Sequence, residues 1–68
     1  MTAREWIDRF AAELGADPPS EDEFDAILEL AAVAAHDSER VAAPVACWMG
    51  GGSGRSVTEL QGIAERIG

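Results

Sequence analysis

The chain of 68 residues contains no lysine, one cysteine and one histidine, and it has no long apolar run. The single cysteine, Cys47, excludes an internal disulfide framework and a cysteine-based zinc site. No apolar stretch approaches the roughly 20 residues that are needed to cross a membrane. No basic N-terminal region precedes an apolar run, so the sequence predicts no secretory signal. We therefore expect a cytoplasmic protein without a membrane partner.

Positive charge is scarce throughout the chain. The five positive charges are all arginines, and 13 acidic residues outnumber them, which leaves a net charge of −8. Between Phe10 and Glu39 there is no basic residue, while aspartate and glutamate accumulate. Such a field repels phosphate backbones and anionic lipid, so we expect no nucleic-acid partner. The acidic segment is typical of a solvated face that keeps a small protein soluble; the alternative is a docking surface for a basic partner.

Three segments carry the sequence signal of a helix start. Thr2–Glu5, Ser20–Glu23 and Ser56–Glu59 each place a hydroxyl three residues before a glutamate. In this capping box the hydroxyl accepts from the amide of the glutamate, and the carboxylate accepts from the amide of the cap residue. Gly15 suits the left-handed conformation that ends the first helix, and Pro44 suits the first turn of the third.

Apolar periodicity sets the extent of the helices and predicts no strand of useful length. The predicted fold is all-α, a compact bundle of about four short helices in a single domain that spans residues 1–68. The core is expected to be thin, because a chain this short buries only about 60% of its unfolded surface. The predicted helices cover about 3–14, 21–38, 43–49 and 57–67, and the glycine-rich segment 50–54 is predicted to be a flexible link.

The large aromatic residues fall on apolar stripes. Trp6 and Phe10 lie on the stripe of the first helix, and a face of the third is shared by Val45, Trp48 and Met49. This spacing predicts that both tryptophans take part in core or half-buried packing. If either is exposed instead, it is suited to anchor a protein interface, because tryptophan is enriched at interface hot spots.

The most distinctive polar pair is His36 and Arg40. They are four residues apart and share a helix face if the second helix continues that far. One interpretation is structural, because cations near a helix C-terminus interact favourably with the exposed carbonyls. The alternative is a contact with an anion, to which Arg55 contributes from beside the amides that open the fourth helix.

Catalysis is not expected from these residues. His36 has no nucleophile or orienting partner at a definable spacing, and Cys47 lies in an apolar segment. One histidine without further soft ligands does not make a transition-metal site. The sequence Gly54-Arg55-Ser56 mimics the end of a phosphate loop but lacks its lysine and its preceding strand. We therefore predict no catalytic residue, no metal site and no resident cofactor.

A combination of residues that spans nearly the whole chain resembles a known domain. It consists of Trp6, Leu14-Gly15, Leu28-x-Leu30-Ala31 and Ala35-His36-x3-Arg40-x2-Ala43-Pro44. It resembles a small uncharacterised actinobacterial helical domain that occurs alone, or beside or fused to proteins of molybdopterin-guanine dinucleotide biosynthesis. The resemblance implies an accessory role near molybdenum-cofactor maturation or a molybdoenzyme. It does not imply guanylyltransferase activity, which would need a far larger α/β domain.

The function predicted at this point is that of a non-catalytic accessory or protein-interaction module. Small domains of this kind often gain stability by docking on a partner or by self-association, so we expect a larger protein or a second copy as partner. The expected contact residues are His36, Arg40, Trp48 and Arg55. The alternative function is a small binder of an anionic cofactor or phosphate ligand through His36, Arg40 and Arg55.

Overall fold

A computed structural model describes all residues of the chain, 1–68, and confirms an all-α fold without strands. None of its helices combines the length and the apolar character that a membrane-spanning segment requires. The four helices are α1 (Ala3–Leu14), α2 (Glu21–Asp37), α3 (Ala42–Ser53) and α4 (Val57–Ile67).

Three of the four helices begin at the capping boxes that the sequence predicts. At the start of α1, the Thr2 amide donates to Glu5 Oε1 over 2.8 Å, and the Glu5 amide donates to Thr2 Oγ1 over 3.1 Å. The same reciprocal pairs open α2 at Ser20 and α4 at Ser56. At the other end of α1, Gly15 takes the predicted left-handed conformation with φ of 70°. Local sequence therefore specifies the ends of these helices.

The prediction of a short third helix followed by a flexible link over 50–54 is wrong. Helix α3 begins at Ala42 and continues through the glycines to Ser53, and Gly54 ends it with φ of 75°. The physical reason is tertiary. A Cβ atom on Gly50 would lie 2.7 Å from Leu60 Cδ1, so the absent side chain lets α4 approach α3 closely. This packing stabilises a helical turn that glycine propensity alone disfavours.

The corner between α2 and α3 separates His36 from Arg40. Helix α2 ends at Asp37, and the Ser38 hydroxyl donates to the Ala34 carbonyl over 2.7 Å. Ser38 itself leaves the helical region, with φ of −141° and ψ of −103°. Arg40 therefore lies in the turn after the helix, and the side chains of His36 and Arg40 do not share a helix face.

Helix α2 is the centre of the fold, because it packs along both α3 and α4, whereas no helix approaches α1 as closely. Only Ala11, Leu30 and Gly50 are buried. The accessible surface is 5317 Å², against about 4,100 Å² expected for a folded monomer of 7.2 kDa. The radius of gyration, 12.4 Å, likewise exceeds the roughly 11 Å expected at this length. The chain thus exposes more surface than a closed globule of its size.

Candidate functional site

An open apolar groove lies between α1 and the first half of α2. Its volume is about 450 Å³, and the loop that joins the two helices closes one end of it. We call it the α1–α2 groove. It is lined by Ala3, Ile7, Phe10, Ala11, Leu14, Ala16, Asp17, Pro18, Pro19, Phe24, Ile27 and Leu28.

The wall formed by α1 is held in place mainly by Arg4. Its guanidinium donates to the Pro19 carbonyl, and its Cζ lies 5.3 Å from the centre of the Phe24 ring. Its Nε also pairs with Asp8 Oδ1 at 3.5 Å. A hydrogen bond from a charged donor and a cation–π contact each contribute of the order of 1 kcal/mol. Arg4 therefore fixes α1 to the loop and to α2, while Ala11 supplies the one buried contact of α1.

The groove leaves large apolar side chains in contact with solvent. The exposed fraction is 49% for Phe10, 63% for Leu14 and 55% for Leu28. Trp6, 53% exposed, stacks on Phe10 with ring centres 5.1 Å apart and extends the apolar surface along α1. Contiguous apolar patches of this kind are rare on monomers and mark interaction sites.

Carboxylates surround the α1–α2 groove and have no ionic partner within the chain. Asp17 lines it, and Glu13 lies three positions after Phe10 on α1. On α2, Glu21 and Asp25 each lie three positions before a groove residue, which places them on the adjoining face. The two ion pairs of the structure are elsewhere, between Arg4 and Asp8 and between Arg55 and Glu59, each at 3.5 Å. Apart from Arg4, whose guanidinium contacts Pro19 and Phe24, these charged residues beside the groove are carboxylates, so the charge of the rim is predominantly negative.

A second apolar surface lies on the outer side of α3. Val41, Val45 and Trp48 are spaced by four and three residues and are 69%, 57% and 80% exposed. The sequence-based expectation of packing for Trp48 is wrong, and Met49, 63% exposed, is also outside the core. Small residues of α3 face α2 instead, so the helix turns its bulky side chains outward. We call Val41, Val45 and Trp48 the α3 face.

The cations predicted as contact residues lie apart from the α1–α2 groove. His36 and Arg40 are exposed, and neither lines one of the principal clefts of the surface. Arg55 lines a cleft between α3 and α4, where its guanidinium pairs with Glu59. No cleft brings the three cations together, and no observation favours anion binding over docking. Their role as contacts stays a prediction.

Other chemistry finds little support in the arrangement of side chains. No group of three or more histidine, cysteine, aspartate or glutamate side chains is placed to hold a metal ion. Cys47 is half-buried and free. The only charged side chain that lines the groove is Asp17, so its walls are suited to bind an apolar surface.

Sequence reasoning missed the residues that make the groove a site. Phe10, Leu14 and Leu28 fit a helical core pattern, and nothing in their spacing distinguishes a core stripe from an open one. Arg4 carried no signal either, because its partners are the Pro19 carbonyl and the Phe24 ring, distant in sequence. One signal was available: the lack of any lysine or arginine from Ala11 to Ser38 indicates the excess of carboxylates around the groove.

Comparison with known proteins places the chain in a family. Residues 1–67 match the family described as a domain of unknown function, DUF6457, and the chain belongs to that family. No curated protein and no solved structure matches the chain.

Proposed function

We propose that this chain is a non-catalytic protein-interaction module that docks on a larger protein through the α1–α2 groove. The observation that carries the proposal is the exposure of Phe10, Leu14 and Leu28 around one concave apolar surface. At about 25 cal/mol per Å² of buried apolar surface, covering such side chains is a strong driving force for association. The accessible surface in excess of a closed globule points the same way.

The proposed biological setting is molybdenum-cofactor maturation or a molybdoenzyme. It is supported by the sequence pattern around Ala35-His36 and Ala43-Pro44, which resembles the domain found beside proteins of molybdopterin-guanine dinucleotide biosynthesis. The chain contributes a binding surface in this proposal and performs no reaction itself. His36, exposed in the last turn of α2, and Arg40, exposed in the turn after it, are available as secondary contacts.

The experiment compares two glutamate substitutions at half-exposed apolar positions. Leu28→Glu places a charge in the groove, and Val45→Glu places one on the α3 face; both positions are more than half exposed, so both variants are expected to fold. The chain is cross-linked in its native cells, and its complexes are quantified. We expect complexes with wild type and Val45→Glu and their loss with Leu28→Glu.

Two results would count against the proposal in different ways. Absence of any cross-linked complex, together with a monomer at all concentrations in sedimentation, would remove the interaction function. Complexes that contain no protein of molybdopterin-guanine dinucleotide biosynthesis would leave the module intact and remove the proposed setting. Titration calorimetry with such a purified protein tests the setting directly.

A further inference from the structure

We infer that the occupant of the α1–α2 groove is an amphipathic helix whose apolar face is flanked by basic residues. This inference rests on the proposed function and deepens it by naming the chemistry of the partner. Three properties of the groove carry the argument: its shape, its apolar lining and the charge of its rim.

The shape of the groove fits a helix. Its walls are the helices α1 and α2, so it presents ridges of side chains and no free strand edge to which an extended peptide could pair. Helices pack by inserting such ridges into each other's grooves. The lining runs along α1 from Ala3 to Leu14, which at 1.5 Å per residue is about 17 Å, or about three helical turns.

The lining defines the face that the partner presents. Phe10, Leu14 and Leu28 line the groove, and the only charged side chain among its lining residues is Asp17. A helix fills such a groove with apolar residues at positions i, i+3, i+4 and i+7. The stacked ring of Trp6 extends the apolar contact beyond the groove on the α1 side.

The rim defines the charge of the partner. Glu13, Asp17, Glu21 and Asp25 adjoin the groove, and none of them forms an ion pair within the chain. Lysine or arginine beside the apolar face of the partner would pair with these carboxylates. Charge complementarity of this kind accelerates encounter and suppresses wrong partners. A second copy is disfavoured as occupant, because each copy carries a net charge of −8.

The test is a selection from a displayed library of helical 18-residue peptides. The library fixes leucine at i, i+3, i+4, i+7 and i+11 and allows lysine, glutamate or glutamine at the flanking positions. We expect the full-length protein to enrich peptides with lysine at the flanks. A synthetic peptide of the selected sequence should bind, and the same peptide with glutamate for every flanking lysine should not.

Variants of the protein locate the binding site and separate the apolar contribution to binding from the ionic contribution. Leu28→Glu is expected to abolish binding of the lysine-flanked peptide, and Val45→Glu to leave it unchanged. Glu21→Lys combined with Asp25→Lys leaves the apolar lining intact. It should weaken binding about tenfold or more, since two lost ion pairs of up to about 1 kcal/mol each, replaced by like charges, correspond to that factor. Circular dichroism verifies that each variant is folded.

Every other outcome overturns the inference. Enrichment of glutamate or glutamine at the flanks, no enrichment at all, or affinity that is insensitive to Leu28→Glu contradicts a basic helix in this groove. A dimer in sedimentation that Leu28→Glu dissociates would show a second copy as the occupant. Binding that is lost with Val45→Glu would move the docking site to the α3 face, and the proposed interaction function would then survive without this inference.

Discussion

The two faces of α2 have opposite roles, and the leucines Leu28 and Leu30 show this most directly. They are two residues apart on one helix, yet Leu28 is 55% exposed and Leu30 is 6% exposed. Leu30 lies where α3 and α4 close over α2, beside small residues such as Ala46 and Gly50. Leu28 lines the open groove, whose other walls are α1 and the loop that contains Pro18 and Pro19.

Because the two side chains are identical, their burial depends on the elements that face them and not on their own hydrophobicity. Helices approach closely where alanine or glycine faces the partner, as at Gly50 and Leu60. The α1–α2 groove is lined instead by larger side chains, among them Phe10, Leu14 and Phe24, and α1 and α2 do not pack closely along their length. The three helices α2, α3 and α4 form the stable part of the fold, and α1 is a wall attached to it.

The largest expected effect is the difference in stability loss between truncating Leu30 and truncating Leu28. Leu30→Ala removes a buried side chain and should cost about 2–4 kcal/mol, a large share of the roughly 3–10 kcal/mol total expected for this length. Leu28→Ala removes a side chain that solvent already reaches and should cost less than about 1 kcal/mol. Urea denaturation followed by circular dichroism measures both. Equal losses would show that the groove is part of the core.

Removal of Arg4 tests how α1 is attached. Arg4→Ala deletes the hydrogen bond to the Pro19 carbonyl and the contact with the Phe24 ring. We expect a loss of about 1–2 kcal/mol, with faster amide hydrogen exchange in α1 and unchanged exchange in α2. Arg9→Ala, at an exposed arginine without an ion pair, is the matched control. Uniform acceleration across all helices would mean that α1 is not a separately attached element.

Substitutions at Gly50 and Gly51 test how tightly Leu60 packs against α3. Gly51 has open space around its Cα, so Gly51→Ala should stabilise the helix by about 0.5–1 kcal/mol. A Cβ on Gly50 would lie 2.7 Å from Leu60 Cδ1, so Gly50→Ala forces Leu60 to move. We expect it to be about 1 kcal/mol or more less stable than Gly51→Ala. Thermal unfolding of the two variants measures the difference. Identical stabilities would contradict a tight contact between Gly50 and Leu60.

The smallest effect is a pH dependence of the helix starts on both sides of the groove. The amide of Thr2 lowers the pKa of Glu5 below its ordinary value of 4.5, and the amide of Ser20 does the same for Glu23; the cap hydroxyls contribute less. These carboxylates thus stabilise the fold above pH 4.5, and the contribution is lost as the pH falls through their lowered pKa values.

Comparison with glutamine isolates this effect from the general relief of acidic repulsion. Glutamine keeps the reciprocal bond of a capping box but does not titrate. The double variant Glu5→Gln, Glu23→Gln should therefore lose less stability than wild type between pH 5 and pH 3, as measured by urea denaturation. Parallel curves for the two proteins would show that these carboxylates do not contribute.

Local signals predicted much of the fold. The bounds of α1 and α4, the capping boxes and the turn at Gly15 were all predictable, because each depends on side chains within a few residues of the backbone groups they satisfy. The extent of α3 was not predictable from local signals, because the helical state of Gly50 depends on Leu60, ten residues further along the chain. The exposure of Trp48 was not predictable for the same kind of reason.

The helical class, three helix starts and the excess of carboxylates around the groove follow from the sequence alone, since they depend on local hydrogen bonding and composition. Which apolar stripes are covered by another helix depends on the tertiary structure. Periodicity reports that Leu28 and Leu30 are apolar, but not which of them meets another helix. That choice depends on how closely the helices approach: α3 and α4 pack along α2 and cover Leu30, whereas α1 does not pack closely on α2 and leaves Leu28 in the open groove.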